Sequence, residues 1–224
     1  MAIKKIICAV VLTASSWITY AGGMGDWQVA NPWSVSAGLG YSWYDFAYHG
    51  GALADPSAQN AMGDGQTALG RFAIARQVAQ FYSIHYGLEL GIQSGNLMRL
   101  AISQSTLDVL GGLPVQANIK PWLDFLVTAT TEPLMNASGI LKAGIAYRRM
   151  QIDERVTIND LSQVGFELQA GVGMQITDRA QLALLYQGVF NGNATFAVNA
   201  EADTGHLANI PMQNGVLLTL SYTL

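Results

Sequence analysis

The chain has 224 residues, half of them apolar, only 12% charged, with a positive mean hydropathy and a formal net charge of -4. That is oily for a soluble domain of this size, yet no run reaches the roughly 18–20 apolar residues of a transmembrane helix. The mild acidity argues against nucleic acid as a partner.

Lys4 and Lys5 precede the apolar run Ile6–Leu12, and small residues lead to Ala21. A basic start, a short apolar core and a small-x-small end predict a secretory signal peptide over 1–21, with 22–224 as the mature domain. Cleavage removes Cys8, the only cysteine, so the mature chain has no thiol ligand and no disulfide. It also removes Lys4 and Lys5, leaving nine basic residues against fifteen acidic ones.

Eight segments then alternate with a period of two, which marks strands rather than helices. The first, 34–46, carries Val35, Ala37, Leu39, Tyr41 and Trp43 on one face and glycine and serine on the other. The second, 67–78, puts Arg76 in the apolar register. The third, 82–94, alternates Ile84, Tyr86, Leu88, Leu90 and Ile92 with His85, Glu89 and Gln93. The fourth, 115–130, shows Ile119, Leu123, Phe125 and Val127 on the apolar side, with Pro121 interrupting it. The fifth is 139–150. The sixth, 161–176, alternates most cleanly, from Val164 through Phe166 and Leu168 to Ile176. The seventh is 180–190, and the eighth, 215–224, closes the chain with Val216, Leu218, Leu220, Tyr222 and Leu224 on one face.

Each segment is close to the 9–11 residues that a tilted strand needs to cross a bilayer. Short links at 79–81, 131–138 and 177–180 alternate with long ones at 47–66, 95–114, 151–160 and 191–213. The fold class is therefore all-β: an eight-stranded antiparallel up-and-down transmembrane β-barrel with short periplasmic turns and four longer extracellular loops. A secreted sandwich or lipocalin-like barrel would bury its apolar face inward. Here the small, polar face is rich in glycine and carries charge, as a cramped interior would, and the other face is continuous and aromatic.

On these segments, and above all on the closing run Leu218, Leu220, Tyr222 and Leu224, the chain resembles the small eight-stranded outer-membrane barrels of Gram-negative bacteria, the family of OmpA-like and OmpX-like transmembrane domains. The resemblance covers nearly all of the mature chain. It implies an outer-membrane location, lipid and lipopolysaccharide as surroundings, and a closing strand that serves as the signal read by the barrel-assembly machinery. The last residue, Leu224, stands where that family usually has an aromatic. The sequence stops at the closing strand, so the resemblance carries no peptidoglycan-binding domain and no tether to the cell wall.

The inward register collects Arg71, His85, Glu89, Lys120, Asp124, Lys142, Arg148 and Glu167. Isolated charges in such an interior are costly, so Glu89 and Glu167 are expected to pair with some of Arg71, Lys120, Lys142 and Arg148. Eight strands enclose a space that side chains can just fill. The network is read as a plug, with an ion path as its rival. Charged inward residues argue against a hydrophobic lumen of the OmpW type. Trp33, Tyr41, Trp43 and Tyr222 are expected at the headgroup level, where amphipathic rings prefer to sit.

Ser83, His85 and Glu89 share one strand face, but Glu89 lies two positions beyond His85, too far for a compact relay. The chain is read as no enzyme, without cofactor or metal, and a lipid-modifying barrel is the third choice. The leading function is a structural or surface-interaction, adhesin-like role through the loops, with a host or surface ligand as the partner. The alternative is a narrow porin or small-molecule channel. The loop over 191–213 offers Phe196, Val198 and Ile210 as a contact surface.

Overall fold

The computed structural model describes residues 32–45, 67–99, 116–152, 157–158, 160–192, 196–199 and 204–224. The expected leader over 1–21 and the loop over 47–66 lie outside them. The strands are β1 (Trp33–Asp45), β2 (Thr67–Phe81), β3 (Ile84–Gln93), β4 (Asn96–Arg99), β5 (Gln116–Ile119), β6 (Trp122–Thr131), β7 (Ala137–Ile152), β8 (Thr157–Ile158), β9 (Leu161–Gln175), β10 (Ala180–Phe190), β11 (Phe196–Asn199), β12 (Thr204–Leu207) and β13 (Met212–Thr223).

The sheet closes on itself. β1 pairs antiparallel with β2 on one side and with β13 on the other, from Ser34↔Thr223 to Asp45↔Met212. The circuit continues β2–β3, β3–β6, β6–β7, β7–β9, β9–β10 and β10–β13. β3 with β4 makes one crossing and β5 with β6 makes another, which gives a closed eight-stranded antiparallel barrel. The ring β1–β2–β3–β6–β7–β9–β10–β13 has no free edge, which a bilayer requires of any sheet that crosses it, and β4, beyond the ring, pairs with β5 alone among the described strands. Short turns join β2 to β3 at Tyr82-Ser83, β6 to β7 at 132–136 and β9 to β10 at 176–179. All three lie at one end, here the turn end. Tyr82, Met135 and Asn136 take positive φ in the first two turns.

Two crossings are broken, and the breaks face each other. Gln93 pairs with Trp122 below them and Asn96 with Ile119 above. Pro121 cannot donate to a ladder, so it sits where the ladder is already interrupted. Gly95 lies against the Ile119 carbonyl, where any Cβ would collide with it. Against β7, Ile119 aligns with Met150 but Leu123 aligns with Tyr147, one extra residue on the β5–β6 side. Such a bulge inverts the facing of everything beyond it. Two expectations fail for this reason. Ile119, expected to face lipid, is fully buried inside. Lys120, expected inside, is half-buried beside the exposed Pro121, and its amide pairs with the carbonyl of the exposed Arg149, which puts it in the outer register.

The side chains sort inside out. Leu39 is 74% exposed, and Phe72, Leu90, Leu123, Phe125, Leu141, Ile145, Phe166, Val172, Leu184 and Leu218 stand exposed around the outer wall. Arg71, Glu89, Asp124, Lys142, Arg148 and Glu167 are buried within. A continuous apolar outer wall around a charged interior is stable only where the wall meets hydrocarbon.

Candidate functional site

Among the described residues, buried polar chemistry concentrates in the lumen, which is built in three tiers. At the turn end lies an open vestibule of about 260 Å³, lined among others by His85, Thr128, Thr130, Ser138, Lys142 and Gln181. His85 Nδ1 lies 2.9 Å from the Gln77 amide nitrogen. Ser138 accepts from Gln181 at 2.7 Å.

Glu89 and Lys142 form the floor of that vestibule and the edge of the second tier. Lys142 donates to both Glu89 oxygens, at 2.7 and 3.0 Å. Arg71 donates to Glu89 Oε1 at 2.8 Å, to Asp124 Oδ2 from Nε at 3.2 Å, and to Asp124 Oδ1 from Nη2. The four residues come from four neighbouring strands, β2, β3, β6 and β7, so the chain Asp124–Arg71–Glu89–Lys142 staples half of the barrel wall. Gly91 makes room for it. A Cβ at that position would come within 2.6 Å of both Asp124 carboxylate oxygens.

The other half of this tier is amide rather than charge. Glu167 accepts from Gln169 at 2.7 Å and from Gln187 at 2.6 Å, and Gln187 also donates to Gln93 at 2.9 Å. The expected pairing of Glu167 with a cation is replaced by these amides. The reason is register: Glu167 lies opposite Gly144 on β7 and Val189 on β10, so no cation stands beside it in the ladder.

The third tier closes the loop end. Arg148, fully buried, meets no carboxylate among the described residues. It donates to Asn191 Oδ1 at 2.8 Å, to the Pro211 carbonyl at 3.1 Å and to Gln213 Oε1 at 3.1 Å, and lies 5.8 Å from the Tyr44 ring and 6.0 Å from the Trp122 ring. Above it Tyr44, Ile119, Trp122, Met150, Ile152, Val189, Leu207 and Ile210 pack into an apolar cluster. Leu207 and Ile210 belong to a strap, 207–211, that folds back into the mouth. Gln163 holds it by donating to the Ala208 carbonyl at 3.0 Å and accepting from the Ile210 amide at 2.8 Å. Ile210, expected on an exposed contact surface, is therefore inside. The same connection carries the β11–β12 hairpin, which pairs with β8. Phe196 and Val198 lie on β11. The sequence signal for the strap is the apolar content of 207–211 just ahead of an inward glutamine, Gln213.

Among the girdle residues, Trp33, Tyr41 and Tyr222 are nearly half exposed, and Trp43 is partly covered, 6.5 Å from Tyr186. Arg76 lies 5.4 Å from the Trp33 ring at the turn end. Leu218, Leu220, Tyr222 and Leu224 face outward, and the Leu224 amide donates to the Trp33 carbonyl at 2.8 Å. Ser83 is exposed in its turn, His85 is engaged with Gln77 and Glu89 is held by two cations, so these three are not assembled into a relay.

The pairing circuit and the inverted surface decide the architecture. This is the build of a small eight-stranded transmembrane β-barrel. No protein-family model and no curated protein matches the sequence. Among solved structures, the chain is similar to a major outer membrane protein from Thermus thermophilus at 12% identity, covering 87% of this chain and 100% of that one, with a TM-score of 0.46. It is also similar to Ail, the attachment invasion locus protein of Yersinia pestis, crystallised with sucrose octasulfate, at 9% identity over 87% and 99% of the two chains with a TM-score of 0.45. Neisserial surface protein A matches at 9% identity over 87% and 97% with a TM-score of 0.44.

Proposed function

We propose that this barrel resides in the outer membrane with its turn end toward the periplasm, that its lumen is sealed, and that it works through the loop end as a structural and surface-interaction protein. The observation that carries the reading is the filled lumen. An ion crossing it would have to part the Asp124–Arg71–Glu89–Lys142 staple and then lift an apolar plug. Buried ion pairs of this kind are expensive to open, because each partner is left as an unpaired charge. With passage closed, the outward-facing loops are the part of the molecule left to meet other molecules, as is usual for loops on a rigid scaffold. Lipid and lipopolysaccharide are the surroundings in this reading, and the barrel-assembly machinery is the partner during insertion.

The test replaces 196–205 by a glycine-serine linker of equal length, so that Leu207 and Ile210 keep their seats. Cells displaying the intact or the altered barrel are settled on surfaces coated with matrix protein or polysaccharide. Attachment conferred by the intact barrel and lost with the linker is the expected outcome. Equal attachment by both, at equal surface abundance, would remove the adhesive part of the reading.

A further inference from the structure

The bulge that turns Lys120 outward also sets it beside a second cation. The Lys120 amide donates to the Arg149 carbonyl at 2.9 Å, so the two residues are direct neighbours across adjacent strands. Arg149 follows the exposed Tyr147 on the outer face of β7 and is itself exposed. Neighbouring Cβ atoms across a ladder stand about 5 Å apart, so the two long side chains can reach a common point. Like charges brought together there repel, and neither makes an ion pair among the described residues. Among the described residues, the acidic side chain closest in register, Asp160, accepts from the Ile152 amide. Toward the membrane, Leu123 and Tyr147 pair and stand exposed just below the two cations. The wall there passes from apolar, through an aromatic, to two adjacent positive charges at the loop end.

We propose that Lys120 and Arg149 form a binding site for the phosphate of a lipid in the leaflet at the loop end, with an acyl chain lying along Leu123 and Tyr147. This rests on the reading that the barrel spans an outer membrane with that end outward, where phosphorylated glycolipid is the neighbour. The chemistry follows from charge and position. A phosphate offers several acceptor oxygens to two donors that would otherwise repel, and charge-assisted bonds of this kind are the strong ones. The apolar strip beneath selects a lipid over a free anion.

The test uses the full mature chain refolded in detergent with phosphorylated lipopolysaccharide, and native mass spectrometry of the lipid that stays bound. The double variant K120Q/R149Q is expected to lower retention roughly tenfold or more, the worth of about one charge-assisted bond. R76Q, which removes a cation from the turn end, is expected to leave it unchanged, and K120R/R149K to keep it. Equal retention by the wild type and K120Q/R149Q would overturn the site. Loss that millimolar inorganic phosphate reproduces would overturn the lipid assignment and leave a simple anion site. The location is checked apart from the lipid: a membrane-impermeant maleimide on intact cells should label a cysteine placed at Gly192 but not one placed at Ser83. Labelling at Ser83 alone would sink the orientation, whatever the lipid result.

Discussion

Glu89→Ala is expected to destabilise the barrel by about 3–5 kcal/mol, because it strips Lys142 of its carboxylate partner and Arg71 of one of two. The cost comes from cations stranded in the interior more than from the attraction lost. Urea titration of the folded band in unheated gels would read the change. Two controls sharpen it. Pairing Glu89→Ala with Lys142→Met should recover part of the loss, since the stranded ammonium is gone, and simple additivity of the two would argue against the pair. Glu167→Gln should behave in the opposite way. Its carboxylate is buried among amides, with no cation in contact among the described residues, so a neutral isostere should leave stability unchanged or improved.

The second large effect concerns the strap. Leu207 and Ile210 are fully buried against Trp122, Met150 and Ile152. Truncation of a buried leucine or isoleucine to alanine typically costs about 2–5 kcal/mol. The double variant L207A/I210A is expected to release the strap while the barrel ladder survives, because none of the strand pairings around the barrel depends on these two side chains. Rapid proteolytic cleavage within 207–211, together with an intact heat-shiftable barrel, is the expected pattern. Protection equal to that of the wild type would mean that the plug is held by Gln163 and Arg148 alone.

Most of the barrel was legible in the sequence because a closed membrane sheet writes its two environments onto alternate residues. The clean alternation of 161–176 became β9, and that of 82–94 became β3, within a few residues. Alternation failed at Lys120 and Pro121. It assumes an unbroken count of two, and one extra residue reverses every assignment beyond it. The proline marked the place but not the direction of the slip. That single residue moved Ile119 inside and Lys120 outside. Alternation alone places charge in the interior, and Arg71, Glu89, Asp124, Lys142, Arg148 and Glu167 are buried there. What the sequence could not supply was who meets whom. Arg71, Asp124, Glu89 and Lys142 find each other through the strand order. Glu167 and Arg148 lie on adjacent strands in a register that keeps them apart. The strap is not legible in the sequence because a few apolar residues in a long connection carry no periodicity to betray where they pack.

Whether the lumen is sealed can be read by single-channel recording of the refolded mature chain in planar bilayers, with insertion verified by the heat-dependent gel shift. The tiers of charge, amide and apolar plug predict silence at all voltages. Reproducible conductance steps that shift in size when Glu89 or Arg71 is neutralised would contradict it and make the interior charges the walls of a pore.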